Sequence, residues 1–222
     1  MQTRQVTLQL GPDRQFRAVL GLPPAAAPKA ALILGHGANN TMDHPLIAAV
    51  HERLAREGLV TVRFNFPYAE EGKKRPDPDA VLEVAFRLVA EYAAGLEEFQ
   101  GLDMFFGGKS MGARVAAQIV AQGAAARGLV FLGYPLHPPG KPDQLRDRPL
   151  LATACPKLFI QGGRDPFCRL ELLEEVMSRL PGRADLHVLP GLGHSYEKGS
   201  KPMSEDTLAE VVRVILAWLD SL

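Results

Sequence analysis

One pentapeptide, Gly108-Lys109-Ser110-Met111-Gly112, has the residue types and spacing of a nucleophilic serine on a sharp turn. It lies between a predicted strand that ends at Phe106 and a predicted helix that begins at Met111, which is the context that such a turn requires. Glycines two residues either side of the serine remove Cβ atoms that would collide with the neighbouring strand and helix. The helix directs its N-terminal amides at the reaction centre. We therefore predict that Ser110 is a nucleophile.

Two later loops contain the partners that a nucleophilic serine needs. A serine hydroxyl requires a histidine base within hydrogen-bond reach, and a carboxylate that holds the tautomer of that histidine. In this architecture the chain order is serine, acid, histidine. Asp165 directly follows the predicted strand 157–161, and His194 directly follows the predicted strand 184–189. The sequence therefore predicts a triad of Ser110, Asp165 and His194.

Backbone amides that could hold a tetrahedral oxyanion are predicted in two places. Met111, the residue after the serine, offers one of the two donors that acyl transfer needs. The other is expected from the glycine-rich loop after the predicted strand 30–34, where Ala38 is the preferred donor and Asn39 the next. Together these amides would stabilise the charge that develops on the carbonyl oxygen.

Four further side chains are candidates for a substrate pocket beside the serine. Lys109 either attracts a substrate carboxylate or forms a salt bridge inside the fold. Tyr68 follows a predicted strand and either walls the pocket or packs in the core. His36 is a pocket candidate, although a structural histidine that bonds the loop backbone is the favoured reading. His137 lies in the proline-rich segment 134–149, which is expected to form a rigid pocket rim rather than a mobile lid.

The elements that must position these residues alternate between apolar strands and amphipathic helices. This alternation predicts an α/β fold with a mostly parallel, twisted sheet of about eight strands and with helices on both faces. The first two strands, joined by a turn at Gly11-Pro12-Asp13, are expected to pair antiparallel at one edge. Loops that follow parallel strands meet at one edge of the sheet, so the chemistry should lie there. The predicted strands are 4–10, 15–22, 30–34, 59–64, 102–106, 128–132, 157–161 and 184–189.

Five or six helices are expected between and after these strands, and five of them can be placed. Three of them are predicted to begin at the capping residues Asp43, Asp79 and Ser204. His44 and His51 fall on the first of these helices, where they are expected to be solvated. The other two helices are predicted over 111–122 and 170–180.

Composition and charge exclude several classes of protein. The 222 residues suit a single domain that spans 1–222. The 25 Lys and Arg residues balance 25 Asp and Glu residues, which argues against a nucleic-acid partner or a polybasic membrane-surface protein. Two cysteines, Cys155 and Cys168, cannot form a disulfide framework or a four-cysteine zinc site. We expect Cys155 to be packed and Cys168 to be a loop thiol.

No metal site, membrane segment or targeting segment is expected. No two histidines or carboxylates show the spacing of metal ligands. The N-terminus lacks the apolar core of a signal peptide, and no apolar run approaches the length of a bilayer. A cytoplasmic location without a membrane partner is therefore the expectation.

These loops together resemble the α/β-hydrolase superfamily over essentially the whole chain. The minimal cap is similar to that of the dienelactone-hydrolase-related branch. Within that branch, two segments resemble a group of small hydrolases whose vertebrate members are called testis-expressed, and their bacterial relatives. Dienelactone hydrolase itself uses a cysteine nucleophile where this chain has serine, so cleavage of dienelactone is not implied. The residues that carry these likenesses are Gly35-His36-Gly37, Gly107–Arg114, Gly133–Gly140, Gly162–Asp165 and Gly193-His194.

The resemblance implies the triad named above and no cofactor, but it supplies no substrate. The expected activity is that of a carboxylesterase-like serine hydrolase, which cleaves an ester or related acyl bond of a small molecule through an acyl-enzyme. A short or slim acyl group is favoured. Two alternatives stay open: a serine peptidase that acts on small peptides, and a non-catalytic protein that uses the hydrolase fold for binding.

Overall fold

One sheet of eight strands organises the chain in the computed structural model, which describes residues 1–24 and 28–222. The strands are β1 (Gln2–Gln9), β2 (Gln15–Leu22), β3 (Ala30–Gly35), β4 (Val60–Phe64), β5 (Asp103–Lys109), β6 (Gly128–Leu132), β7 (Lys157–Gly162) and β8 (Ala184–Leu189). Their order across the sheet is β1-β2-β4-β3-β5-β6-β7-β8. β2 pairs antiparallel with both β1 and β4, and every other neighbouring pair is parallel. The predicted mostly parallel sheet is confirmed.

Helices cover both faces of this sheet, as predicted. They are α1 (Pro45–Arg56), α2 (Pro67–Glu70), α3 (Asp79–Ala94), α4 (Met111–Ala121), α5 (Arg148–Leu151), α6 (Leu170–Met177) and α7 (Glu205–Leu219). α1 and α7 pack over one apolar cluster, whereas α3, α4 and α6 pack over the other. α2 and α5 were not predicted, because four residues are too few to show the regular spacing of apolar residues that marks a helix.

Of the capping residues predicted for α1 and α7, the one for α7 is confirmed and the one for α1 is not. Ser204 caps α7, because its side chain accepts a hydrogen bond from the amide of Thr207 at 3.2 Å. The prediction for Asp43 was wrong: His44 is the N-cap of α1, and its ring accepts a hydrogen bond from a first-turn amide. The Asp43 carboxylate instead forms an ion pair with Arg63, so it is not available to the helix.

The prediction that His51 is solvated was also wrong. His51 is 1% exposed, and its ring packs so closely under β2 that a Cβ on Gly21 would lie 3.0 Å from it. Neither ring nitrogen has a hydrogen-bond partner within the described residues. Burial lowers the pKa of His51 from its ordinary 6.5 to about 3. The apolar face of α1 is therefore wider than its aliphatic residues alone indicate.

This buried histidine should make the fold sensitive to acid. The folded-state pKa is lower than that of the unfolded chain, so the unfolded state takes up the proton first as the pH falls. The contribution of His51 to stability is complete above pH 6.5 and is lost between pH 6.5 and about 3. At pH 4.5 we expect the free energy of unfolding to be lower by about 2–3 kcal/mol from this residue alone.

Urea unfolding at pH 7.5 and pH 4.5 measures this effect. His51→Leu should show a smaller loss of unfolding free energy between the two pH values than the wild type. Part of the loss should remain, because burial also lowers the pKa of His36 and of His44 to about 4. The matched control is His187→Gln, which removes a partly exposed histidine. Equal pH dependence in the wild type and in His51→Leu would contradict the prediction.

Candidate active site

Ser110 occupies the tight turn between β5 and α4. Its φ of 52° and ψ of −112° lie outside the conformations that residues with a side chain ordinarily adopt. Such strain persists only where the surroundings enforce it, and it clusters at functional sites. The Ser110 amide donates to the carbonyl of Leu132 at 3.3 Å, which ties the turn to the end of β6.

Close packing against β3 explains the two glycines of the turn. A Cβ on Gly108 or on Gly112 would lie 2.2 Å from the carbonyl oxygen of Gly35. Gly108 also has a φ of 148°, which disfavours any other residue. The spacing of the two glycines therefore follows from one contact: both sides of the turn pack against the carbonyl oxygen of the last residue of β3.

Asp165 and His194 form a hydrogen-bonded pair at the ends of β7 and β8. The Asp165 side chain is fully buried, and its Oδ2 lies 2.7 Å from Nδ1 of His194. The same carboxylate accepts hydrogen bonds from the Phe167 amide, at 2.8 Å, and from the side-chain amide of Gln161. A proton on Nδ1 satisfies this pair and leaves Nε2 of His194 as the acceptor, which is the tautomer that a general base needs.

Ser110 and His194 lie at the same edge of the sheet, but no hydrogen bond joins their side chains within the described residues. The Ser110 amide bonds to Leu132, and a Cβ on the next residue, Gly133, would lie 3.5 Å from Nδ1 of His194. The Phe167 ring lies 4.4 Å from the imidazole centroid and shares a cavity wall with Ser110. Nε2 of His194 is buried and has no hydrogen-bond partner within the described residues. Catalytic hydrogen bonds are often long in free enzymes and tighten when substrate binds.

A cavity of about 260 Å³ opens at Ser110. Of the residues predicted for the site, Ser110, Met111 and Ala38 line it. The other lining residues are Pro76, Asp77, Asp79, Leu82, Arg114, Pro135, Arg146 and Phe167.

Met111 and Ala38 both line the cavity. Within residues 1–24 and 28–222 neither amide donates a hydrogen bond to a protein acceptor. Asn39 is placed differently: its φ is 59°, and it does not line the cavity. The geometry therefore favours Ala38 over Asn39 as the second donor.

His36 and His137 do not line the cavity. For His36 the favoured interpretation, a structural histidine that bonds the loop backbone, is confirmed, whereas the prediction of His137 as a pocket residue was wrong. They are 0% and 2% exposed. Each ring bonds through Nδ1 to the carbonyl of the following residue. The Nε2 atom of His36 accepts from the Phe66 amide, and that of His137 accepts from the Arg169 amide, both at 3.0 Å. Both histidines hold loops around the site, and no ring nitrogen is left for a substrate.

Tyr68 and Lys109 are also buried and do not line the cavity. Tyr68 is 0% exposed, its hydroxyl donates to the Gly37 carbonyl at 3.4 Å, and burial raises its pKa to about 12, so the alternative of core packing is confirmed. Lys109 is 3% exposed and makes no ion pair within 4 Å in the described residues, so the predicted salt bridge is not formed. Burial lowers the pKa of Lys109 to about 8, against the opposing charges of Asp165 and Glu197.

Sequence reasoning missed the charged wall of the cavity. Arg114 forms two hydrogen bonds with the Asp79 carboxylate, at 2.7 and 2.9 Å. Asp79 was predicted as the N-cap of α3, but Pro78 holds that position and the carboxylate turns to Arg114 instead. Arg146 lies in the segment after β6. Because these residues belong to three separate elements, no local pattern links them.

Hydrogen bonds fix the predicted rim, 134–149, on two sides. The Tyr134 hydroxyl donates to the carbonyl of Arg146 at 2.8 Å. The amide of His137 donates to the carbonyl of Phe167 at 3.0 Å, which joins the rim to the loop that carries the acid. Cys168 lies in that loop, as predicted, but its side chain is only 2% exposed and packs in the core.

Within the described residues no three His, Cys, Asp or Glu side chains are placed to share a metal ion. In the same part of the chain no helix combines the length and the hydropathy needed to cross a membrane.

A strained serine after a central parallel strand, with an acid and a histidine after later strands, defines a class of fold and site. A sequence profile for the family described as alpha/beta hydrolase domain matches residues 28–220. The chain therefore belongs to the α/β hydrolase domain family.

Solved structures share this fold at low sequence identity. A dienelactone hydrolase from Anabaena variabilis is 21% identical, with a TM-score of 0.78 over 99% of this chain and 97% of that one. An α/β serine hydrolase homologue from Coxiella burnetii is 20% identical, with a TM-score of 0.76 over 96% and 97% of the two chains. A lidless α/β serine hydrolase from Xanthomonas campestris is 18% identical, with a TM-score of 0.73 over 97% and 94%.

Curated relatives are longer than this chain. Two Mycobacterium tuberculosis proteins whose names describe them as phosphoribosyl transferases are 27% identical over 216 residues. The match covers 93% of this chain, and the chain spans only 46% of the length of those relatives.

Proposed function

We propose that this chain is a serine hydrolase that cleaves a carboxylic ester or related acyl bond of a small molecule. One observation carries the proposal. The buried pair of Asp165 and His194 lies at the same edge of the sheet as the strained Ser110, and the cavity at Ser110 is lined by Met111 and Ala38, whose amides have no protein acceptor among the described residues. A nucleophile, a base, an orienting acid and oxyanion donors are the complete set that acyl transfer requires.

Each group has one part in the proposed reaction. The Ser110 hydroxyl attacks the carbonyl carbon while Nε2 of His194 accepts its proton, and Asp165 stabilises the resulting imidazolium. The amides of Met111 and Ala38 stabilise the oxyanion. His194 then returns the proton to the leaving alcohol, which leaves an acyl group on Ser110. Water, deprotonated by His194, attacks that acyl group and releases the acid.

The size of the cavity favours a small acyl substrate. At about 260 Å³ it is slightly smaller than typical ligand pockets, which span roughly 300–1,000 Å³. A peptidase that acts on short peptides uses the same machinery and is the second enzymatic candidate. Phosphoribosyl transfer, the activity in the names of the mycobacterial relatives, is not favoured, because the chain spans under half of their length.

A fluorophosphonate probe on the purified protein tests the proposal. We expect covalent labelling of the wild type and complete loss of labelling in Ser110→Ala, because the probe reacts only with an activated serine. Ser195→Ala is the matched control, since Ser195 lies beside His194 and should not change labelling. Both variants should retain the wild-type circular dichroism spectrum.

Two outcomes would contradict the proposal. A correctly folded wild type that is not labelled would indicate a non-catalytic binding protein. Labelling that survives in Ser110→Ala would show that another residue is the nucleophile. Comparing the turnover of a phenyl ester with that of an aminoacyl amide would then separate an esterase from a peptidase.

A further inference from the structure

The cavity at Ser110 is lined by two carboxylates, Asp77 and Asp79, and both already have guanidinium partners. Asp77 accepts two hydrogen bonds from Arg14, at 2.9 and 3.1 Å. Asp79 forms the two-bonded pair with Arg114 described above. Paired in this way, the two carboxylates leave no net negative charge for a substrate to meet.

Arg146, which lines this cavity together with Arg114, has no such partner. No carboxylate lies within 4 Å of its side chain in the described residues, and its one side-chain hydrogen bond there goes to the carbonyl of Pro135 at 3.4 Å. The side chain is partly buried, and burial, with the nearby Arg114, lowers its pKa. Arginine nevertheless stays protonated in proteins. Of the four charged residues that line the cavity, Arg146 is therefore the one without an ion pair among the described residues.

The main chain of Arg146 is fixed, so the guanidinium is presented from a stable position. Its amide donates to the carbonyl of Leu136 at 2.7 Å, and its carbonyl accepts from the Tyr134 hydroxyl at 2.8 Å. A partly buried charge without a partner costs free energy. A ligand that supplies the missing anion regains that free energy, and a fixed main chain reduces the entropy lost on binding.

We propose that Arg146 binds a carboxylate on the substrate and selects esters of short dicarboxylic acids. The inference rests on the proposed function, because Ser110 and Arg146 line the same small cavity. The planar guanidinium fork matches a carboxylate with two parallel hydrogen bonds. A phosphate dianion suits the cavity less well than a carboxylate. Asp79 lies in the same wall and repels a group with two negative charges more strongly than a group with one.

The test compares two 4-nitrophenyl esters of equal chain length, the glutarate monoester and the neutral pentanoate. We expect the wild type to prefer the glutarate ester in kcat/KM. Arg146→Gln should lower kcat/KM for glutarate by about 10- to 100-fold, the effect of one charge-assisted hydrogen-bond pair. For pentanoate the change should stay within about threefold. Arg148→Gln is the matched control, because this exposed arginine is two residues away and does not line the cavity.

Three outcomes would overturn the inference. Equal losses on both esters in Arg146→Gln would assign the residue a purely structural role in the rim. An unchanged preference for glutarate in Arg146→Gln would place the anion site elsewhere. A wild type that prefers an ester of equal length with a terminal phosphate would exclude the carboxylate as the group selected.

Failure of the proposed function gives a different result. If the wild type hydrolyses neither ester, the hydrolase proposal fails, and the anion site is tested by binding alone. Calorimetry with glutarate monomethyl ester should then show binding to the wild type and to Arg148→Gln but not to Arg146→Gln. Equal binding, or no binding, in all three proteins would overturn the inference.

Discussion

Replacing His194 with alanine is expected to lower kcat for a small ester by about 10⁶-fold, the loss expected when the base of a serine triad is removed. The reason is that the proposed reaction assigns the proton of the Ser110 hydroxyl to Nε2 of His194, and alanine supplies no base in its place. His36 and His137, two other histidines at this edge of the sheet, are buried with both ring nitrogens occupied. The residual rate should come from the oxyanion donors and from substrate binding.

Steady-state hydrolysis of 4-nitrophenyl acetate measures this effect. The control is His187→Ala, because His187 lies in β8, bonds to Glu210 and does not reach the cavity. That variant should keep kcat within about threefold of the wild type. A loss below about 100-fold in His194→Ala, or an equal loss in both variants, would exclude His194 as the base.

Replacing Asp165 with asparagine is expected to lower kcat by about 10⁴-fold while the fold is retained. Asparagine is nearly isosteric, so the hydrogen bond from the Phe167 amide can persist. Its side-chain NH₂ would face either Nδ1 of His194 or the side-chain amide of Gln161, both of which now meet a carboxylate oxygen. An imidazole that receives a hydrogen bond at Nδ1 carries its proton on Nε2, and in that tautomer it cannot accept the proton of Ser110.

The same ester assay, together with thermal unfolding, measures the effect of this substitution. Asp143→Asn, at an exposed position of the rim, is the matched control and should leave kcat unchanged. If Asp165→Asn keeps kcat within about tenfold of the wild type, the carboxylate does not set the tautomer. Loss of folding would instead indicate that its role is to hold the loop.

The fold could be predicted from the sequence because each strand is a short apolar run and each long helix repeats its apolar residues. The antiparallel edge and the parallel centre both follow from these patterns. The four-residue helices α2 and α5 could not be predicted, since a single turn has no period. The N-cap of α1 was missed because Asp43, a good capping residue, is held by Arg63 from another strand.

The residues of the candidate site also fall into two groups, those that a local sequence pattern predicts and those that only tertiary packing brings together. Ser110, Asp165 and His194 lie in loops whose local glycine patterns mark them, so sequence reasoning could identify them before any geometry was known. The cavity wall is different, because Asp79, Arg114 and Arg146 meet only through the packing of α3, α4 and the rim. The tertiary contacts that bury His36, Tyr68, Lys109 and His137 likewise leave no trace in the local sequence.

The contact of Gly108 and Gly112 with the carbonyl oxygen of Gly35 has a mechanical consequence. Gly35 is the last residue of β3, and Ala38, the second proposed oxyanion donor, follows three residues later. The nucleophile turn and the donor loop therefore take their positions from one shared atom. When the sheet changes its twist, the nucleophile turn and the donor loop should move together. The distance between the Ser110 hydroxyl oxygen and the oxyanion donors should therefore vary less than the position of the turn or of the loop alone.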